Sequence, residues 1–143
     1  MRQIRLDYQP KLLRWAEDRL HSQGTRAAFR NDSPVLSVWN GELLGVVIFT
    51  HYNGPHVEMS IVTDSPKWAT KEFIRRAFDF AFNDLEVEHI GTTVREDNQR
   101  SIDITSKLGF TVEGIMRKRV TDFDENVYDC ISFGMVKDEC RWL

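Results

Sequence analysis

The sequence predicts an α/β domain of alternating short strands and helices, and three observations carry that expectation. Apolar residues recur at helical spacing between Trp68 and Leu85, β-rich runs meet at Asn40-Gly41, and two long β-rich runs close the chain. Composition agrees: of 143 residues 41% are hydrophobic and 29% charged, enough apolar material for one core, so no second domain is needed.

Residues 2–8 alternate weakly and read as a strand. Pro10 then opens a helix with Leu12, Leu13, Ala16 and Leu20 on one face, ending near Gly24. A loop or short helix leads to Val35. Residues 35–39 and 43–52 form a hairpin through Asn40-Gly41, the pair that accepts the positive φ of a tight turn. After Asn53-Gly54-Pro55, Val57, Met59 and Ile61 alternate with Glu58, Ser60 and Val62, which makes a fourth strand. Ala69, Phe73, Ile74, Ala77, Phe78, Ala81, Phe82 and Leu85 form the apolar stripe of a long helix over residues 68–85. Residues 90–94 read as a short buried strand. Asn98 caps a further helix that stops at Gly109, where a left-handed residue is needed. Residues 110–119 and 127–136 are the final strands, around a polar turn at residues 122–126.

Nineteen basic side chains against twenty-two acidic ones give a net charge of -3, which offers no electrostatic case for nucleic-acid binding. Cys130 and Cys140 have neither zinc-site spacing nor partners for a disulfide framework, so no metal is expected and a reducing cytoplasm suits them. No apolar run approaches the roughly 18 residues of a membrane span. The expectation is a soluble, unprocessed cytoplasmic protein without membrane contact, a monomer or a homodimer.

The first site-like feature is Asp64-Ser65-Pro66-Lys67-Trp68-Ala69-Thr70-Lys71, between the fourth strand and the long helix. Ser65 suits an N-cap and Pro66 the first helical position. The amides of Lys67, Trp68 and Ala69 would then open a helix whose dipole favours an anion, with Lys67 and Lys71 one turn apart beside them. A phosphate would be held there. The same residues also read as an ordinary capped helix with two solvated lysines.

The second feature follows Val94: Asn98, Ser101, Lys107, Leu108, Gly109, Phe110, Glu113, Gly114 and Arg117 stand at fixed spacings. The run resembles the signature V-x-x-x-N-x-x-S-x-x-x-x-x-K-L-G-F-x-x-E-G-x-x-R of GNAT acetyltransferases, in particular the branch related to the ribosomal-protein N-terminal acetyltransferases RimJ and RimL. The similarity reaches upstream through Ala69-Thr70-Lys71-Glu72, Ala77-Phe78 and Phe82, and downstream to Tyr128-Asp129 and Phe133-Gly134-Met135.

That resemblance implies the GNAT fold: a mixed, mostly antiparallel sheet of about seven strands, splayed between its fourth and fifth and flanked by about four helices. The pantetheine arm of acetyl-coenzyme A would fill the gap against the backbone of Ile61, Val62 and Thr63. Lys67, Trp68, Ala69, Thr70 and Lys71 would hold the pyrophosphate, in the place where capping alone suggested an anion. Asn98 would meet the pantetheine arm and Lys107 the phosphates, and Ser101 would also contact the cofactor.

Two departures from the pattern stand out. The family loop usually reads Q/R-x-x-G-x-G/A, whereas here Lys67 takes the glycine slot and Asp64 the basic one. A side chain at that slot narrows the approach, and the ammonium groups of Lys67 and Lys71 would offset this by direct contact. Many members also carry a tyrosine seven residues after the asparagine, as the acid for the thiolate; this chain has Thr105.

Acyl transfer to an amine needs a deprotonated amine, a stabilised oxyanion and a proton for the departing thiolate. Glu58, facing away from Val57, Met59 and Ile61, matches a carboxylate that acts as base in several GNAT enzymes. The hydroxyl of Thr105, or of Ser106, would serve the sulfur, and an amide near Val62 the oxyanion. His51 and His56 flank the turn at the expected acceptor entrance and are alternative bases. The implied activity is transfer of acetyl from acetyl-coenzyme A to a primary amine by direct attack in a ternary complex. A protein N-terminus leads the acceptors, with a lysine side chain, a polyamine, an aminoglycoside or an aminoacyl-tRNA behind it. Residues 23–32 and 121–126 would set the choice. A non-catalytic coenzyme A module and a protein-interaction domain are the alternatives.

Overall fold

The computed structural model describes residues 2–143. Strand β1 (Gln3–Asp7) leads into helix α1 (Pro10–Ser22), then β2 (Val35–Asn40), β3 (Glu42–Thr50) and β4 (His56–Thr63). A 3-10 turn (Pro66–Trp68) precedes α2 (Lys71–Asp79), which widens into a π turn (Phe80–Asp84). Then come β5 (His89–Arg95), α3 (Gln99–Leu108), β6 (Thr111–Thr121), β7 (Val127–Val136) and a last 3-10 turn (Lys137–Glu139).

The seven strands form one sheet in the order β1-β2-β3-β4-β5-β7-β6. Every neighbouring pair is antiparallel except β4 and β5, so the expected mixed sheet is observed. Among the described residues there are three α-helices rather than about four, because the stretch between α1 and β2 stays irregular. The Asn40-Gly41 hairpin forms as its sequence dictates, with Gly41 at φ 76°. Asn98 accepts from the Ser101 amide at 3.2 Å, and Gly109 ends α3 at φ 104°, a conformation that a side chain would strain.

Two cores sandwich the sheet. Val46 and Ile48 of β3 and Val62 of β4 pack with Leu12, Leu13 and Ala16 of α1. The opposite β3 face, Val47 and Phe49, packs with Phe73, Ala77 and Phe78 of α2 and with Leu108 of α3. β3 is thus apolar on both faces, which is why its sequence lacks polar alternation. Fully burying an aromatic side chain of this kind contributes about 2–3 kcal/mol.

The start of α2 corrects the sequence reading. Ser65 does cap, accepting from the Lys67 amide at 3.2 Å, but only for a single 3-10 turn. The Trp68 indole, 4% exposed, turns into the core edge-on to Phe73, and burying it takes the backbone off the helical path at Ala69. The helix restarts at Thr70, whose Oγ1 accepts from the Phe73 amide at 3.2 Å. At the other end the π turn lets Phe80, Ala81 and Phe82 all face inward, closed by the Leu85 amide donating to the Phe80 carbonyl at 2.8 Å.

Candidate active site

β4 and β5 pair over three rungs only: His56 with His89, Val57 with Ile90, and Glu58 with Gly91. Beyond Glu58, β4 stays with β3 as far as Thr63, and β5 stays with β7 as far as Arg95. The two half-sheets therefore part like a V. Arg95 anchors the far arm: its guanidinium binds Asp97 at 2.7 and 3.0 Å, donates to the Gly24 carbonyl at 3.1 Å and lies 4.2 Å over the Tyr128 ring.

A cleft of about 430 Å³ fills the V. Ile61, Val62 and Thr63 line one arm, Val94 and Arg95 the other, and Asn98, Ser101 and Thr105 of α3 lie across the gap. Along this stretch of β4, the polar backbone groups on the side away from β3 have no strand to pair with. An extended chain with amide groups would complete that ladder. Asn98 spends its side-chain oxygen on the helix cap, which leaves the carboxamide NH2 as the donor the cap does not use. Thr105 is 7% exposed and belongs to the lining, whereas Ser106 is exposed and belongs to neither cavity.

A second hollow of about 710 Å³ adjoins the first across Arg100, Ile104 and Leu108, which line both. Pro66, Trp68 and Ala69 form one wall, and Asp103 and Lys107 of α3 with Arg141 and Trp142 the rest. The C-terminal segment is pinned to the end of α3. Trp142 Nε1 donates to the Leu108 carbonyl at 2.9 Å, Arg141 donates to the Lys107 carbonyl, and the Arg141 guanidinium lies 4.6 Å over the Trp142 ring. Apolar faces with Arg100, Lys107 and Arg141 around them suit a phosphate-bearing nucleotide.

The anion site differs in detail from the sequence reading. The amides of Trp68 and Ala69 donate within their own turn, at 3.3 and 3.4 Å, and the Lys67 amide serves Ser65. The amides at a helix start without an intrahelical partner belong instead to Lys71 and Glu72, since Thr70 takes the next two. Lys67, Thr70 and Lys71 stand outside both cavity linings. Asp64, in the slot where the family carries a base, binds Arg19 of α1 at 2.9 and 3.0 Å, so a cation is supplied from another element. Neither Lys67 nor Trp68 plugs the cleft.

Glu58 sits at the apex, on the last rung before the strands part, with His51 Nδ1 3.3 Å from its carboxylate. His56 Nδ1 lies 2.8 Å from His89 Nδ1, and His89 Nε2 lies 3.0 Å from both Glu113 oxygens. The His56 pKa is pushed down, first by burial and then by His89, while Glu58 and Glu113 pull weakly the other way. At the acceptor side, the stretch after α1 meets the β6–β7 turn: Arg26 lies 5.4 Å over the Phe123 ring, and His21 meets its edge at 5.3 Å. Cys130 is buried, and burial pushes its thiol up, so it is inert.

Sequence reasoning missed Arg100, Arg141, Trp142, Arg19 and the pairing of His56 with His89 and Glu113. Arg100 occupies a variable position of the signature, and the others come together only through the fold.

Residues 4–111, well over half of the chain, match the profile of the acetyltransferase (GNAT) domain. The SPbeta prophage-derived uncharacterized N-acetyltransferase YokL of Bacillus subtilis (strain 168) is 39% identical over 74 residues, which are 51% of this chain and 41% of that protein. The uncharacterized N-acetyltransferase YoaA of the same organism is 33% identical over 64 residues, 42% of this chain and 36% of that protein. The matches thus span less than half the length of these curated relatives. The N152L mutant of the spermidine N-acetyltransferase SpeG from Vibrio cholerae superposes with a TM-score of 0.79 at 16% identity, covering 99% of this chain and 96% of that one. A GNAT-family acetyltransferase from Bacillus anthracis gives a TM-score of 0.62 at 21% identity, covering 73% of this chain and 67% of that one. At such identities the likeness speaks for the fold. With the profile match, the parted strands and the hollow between them, the chain belongs to the GNAT acetyltransferase family.

Proposed function

We propose that this protein transfers the acetyl group of acetyl-coenzyme A to a primary amine, by direct attack with both substrates bound. The observation that carries the reading is the three-rung β4–β5 pairing, which leaves an unpaired stretch of β4 facing a cleft across from Asn98 and Thr105. The residues fit acetyl-coenzyme A: residues 61–63 and Asn98 for the amide-bearing pantetheine, and Arg100, Lys107 and Arg141 around the second hollow for its phosphates. Bound there, acetyl-coenzyme A supplies an activated acyl group. Glu58, at the apex, binds the acceptor ammonium and draws off its proton directly or through water. Thr105, within the cleft lining, offers its hydroxyl to the sulfur.

For the acceptor, a protein N-terminus leads, in keeping with the RimJ/RimL-like signature: Glu58, the carboxylate this reading gives the acceptor, answers one ammonium. A small-molecule amine is the second choice, since SpeG, whose fold this chain shares, is a spermidine acetyltransferase.

Incubation with isotopically labelled acetyl-coenzyme A and separate pools of free-N-terminus peptides, lysine peptides and polyamines, followed by mass spectrometry, tests the reading. Label in the N-terminal peptides supports it, and label in the polyamines alone overturns the acceptor. Tight acetyl-coenzyme A binding with no labelled amine and no released thiol would mark a non-catalytic coenzyme A module instead.

A further inference from the structure

Five titratable side chains from four segments surround the closed end of the V: His51 after β3, His56 and Glu58 on β4, His89 on β5 and Glu113 on β6. Three of them form a chain whose hydrogens can be placed. A carboxylate only accepts, so His89 Nε2, 3.0 Å from both Glu113 oxygens, carries a hydrogen. With His89 in its neutral form the lone pair is on its Nδ1, and the hydrogen of the 2.8 Å contact with His56 Nδ1 comes from His56. His56 Nε2 is left with its lone pair bare.

The sheet makes room for this chain. A Cβ at Gly91 would stand 2.8 Å from His56 Cε1, and a Cβ at Gly134 would fall on the Glu113 carboxylate. Gly91 is also the rung partner of Glu58, so the His56 ring lies over the apex itself. Glycine inside a strand weakens it, and its presence here fits the close approach of these side chains.

Resting on the transferase reading above, we propose that Glu113, His89 and His56 form a proton relay: His56 Nε2 takes the proton that the acceptor ammonium gives up at Glu58, while His89 and Glu113 are positioning residues that fix the tautomer and hold the charge. The ammonium N–H bond breaks as an O–H bond forms on Glu58, and that O–H bond breaks as an N–H bond forms at His56 Nε2; a second hydrogen of the attacking nitrogen goes to the departing thiolate. The His56 Nδ1 hydrogen passes to His89 Nδ1, giving an imidazolium paired with the Glu113 carboxylate. After product leaves, that hydrogen returns and the proton on Nε2 goes to water, which accounts for the one proton released when an ammonium becomes an amide and the thioester a thiol. The groups facing His56 are Glu58, His51, His89 and Glu113. Burial, the largest influence on it, holds the His56 pKa down and favours the neutral ring, which is able to accept.

The test combines nitrogen NMR of imidazole-labelled protein with the pH profile of turnover on the acceptor that the labelling screen returns. At neutral pH the unmodified protein should show His56 protonated at Nδ1 and bare at Nε2, and His89 protonated at Nε2. In Glu113→Gln the limb on which turnover rises with pH should move down by about one unit, because the imidazolium loses its counter-charge. Its plateau should fall by at least ~10-fold with an unchanged KM for acetyl-coenzyme A. Gly134→Ala, which displaces the carboxylate without removing it, should do the same, and Glu113→Asp should recover part of the loss. His56 protonated at Nε2, or an unmoved limb in both Glu113→Gln and Gly134→Ala, overturns the relay. If the unmodified protein acetylates no amine, the transferase reading fails, and with it this use of the relay; the nitrogen spectrum then still decides whether the hydrogen-bonded chain exists.

Discussion

Gly91 of β5 and Gly134 of β7 are partners across the ladder, and together they form a bare strip of sheet beneath His56, His89 and Glu113. The strip begins where β4 and β5 stop pairing. The same place in the fold therefore opens the cleft, presents Glu58 and accommodates two histidine rings.

Gly91→Ala should separate activity from folding. The added methyl meets His56 Cε1 at 2.8 Å and must swing the ring away from His89. Overpacking costs about 1–3 kcal/mol and the loss of glycine's unfolded-state freedom returns about 0.4–1 kcal/mol, so the melting temperature should fall by only a few degrees. Turnover should drop at least ~10-fold with acetyl-coenzyme A affinity unchanged, as steady-state kinetics and calorimetry would read.

Arg100→Ala acts on binding. This side chain borders both hollows, at the passage between them. Loss of a charged hydrogen bond of about 1.5–3 kcal/mol predicts acetyl-coenzyme A binding weakened by roughly 10- to 100-fold in calorimetry, with turnover at saturation little changed.

The two caps before α2 can be told apart by thermal melts. Thr70→Ala removes the acceptor for the Phe73 amide at the true helix start, and should cost about 1 kcal/mol, or roughly 3 °C. Ser65→Ala removes the cap of a single 3-10 turn and should cost less. The reverse order would contradict the placement of the helix start.

The β6–β7 turn predicts an acid-side loss of stability. Asp122 accepts from the Asn126 side chain, the Asn126 and Asp124 amides and the Tyr128 hydroxyl, and these bonds, with Asn126 first, hold its pKa below the ordinary aspartate value. A depressed folded pKa gives stability that is present above the unfolded value near 4 and is lost as pH falls through the folded value. Melting temperatures from pH 6 down to pH 3 should therefore fall more steeply in the unmodified protein than in Asp122→Asn.

Local grammar made much of this legible. The Asn98 cap, the Gly109 stop and the Asn40-Gly41 turn each depend on a few neighbouring residues, and each formed as read. The start of α2 misled because Ser65-Pro66 is a sound cap signal that loses to a tertiary demand, the burial of Trp68. The cation that answers Asp64 lies 45 residues away on α1, and His89 reaches partners 33 residues before it and 24 after, so no window of sequence contains either arrangement. The second hollow needed Arg141 and Trp142 folded back onto α3, which no spacing rule supplies.

The most direct test of the account is an amide NMR titration of the labelled protein with acetyl-coenzyme A. Saturable shifts should concentrate at residues 61–63, Asn98, Arg100 and Lys107, the walls of the two adjoining hollows. Shifts elsewhere, or none at millimolar acetyl-coenzyme A, would contradict the assignment of the parted strands as the seat of the acyl donor.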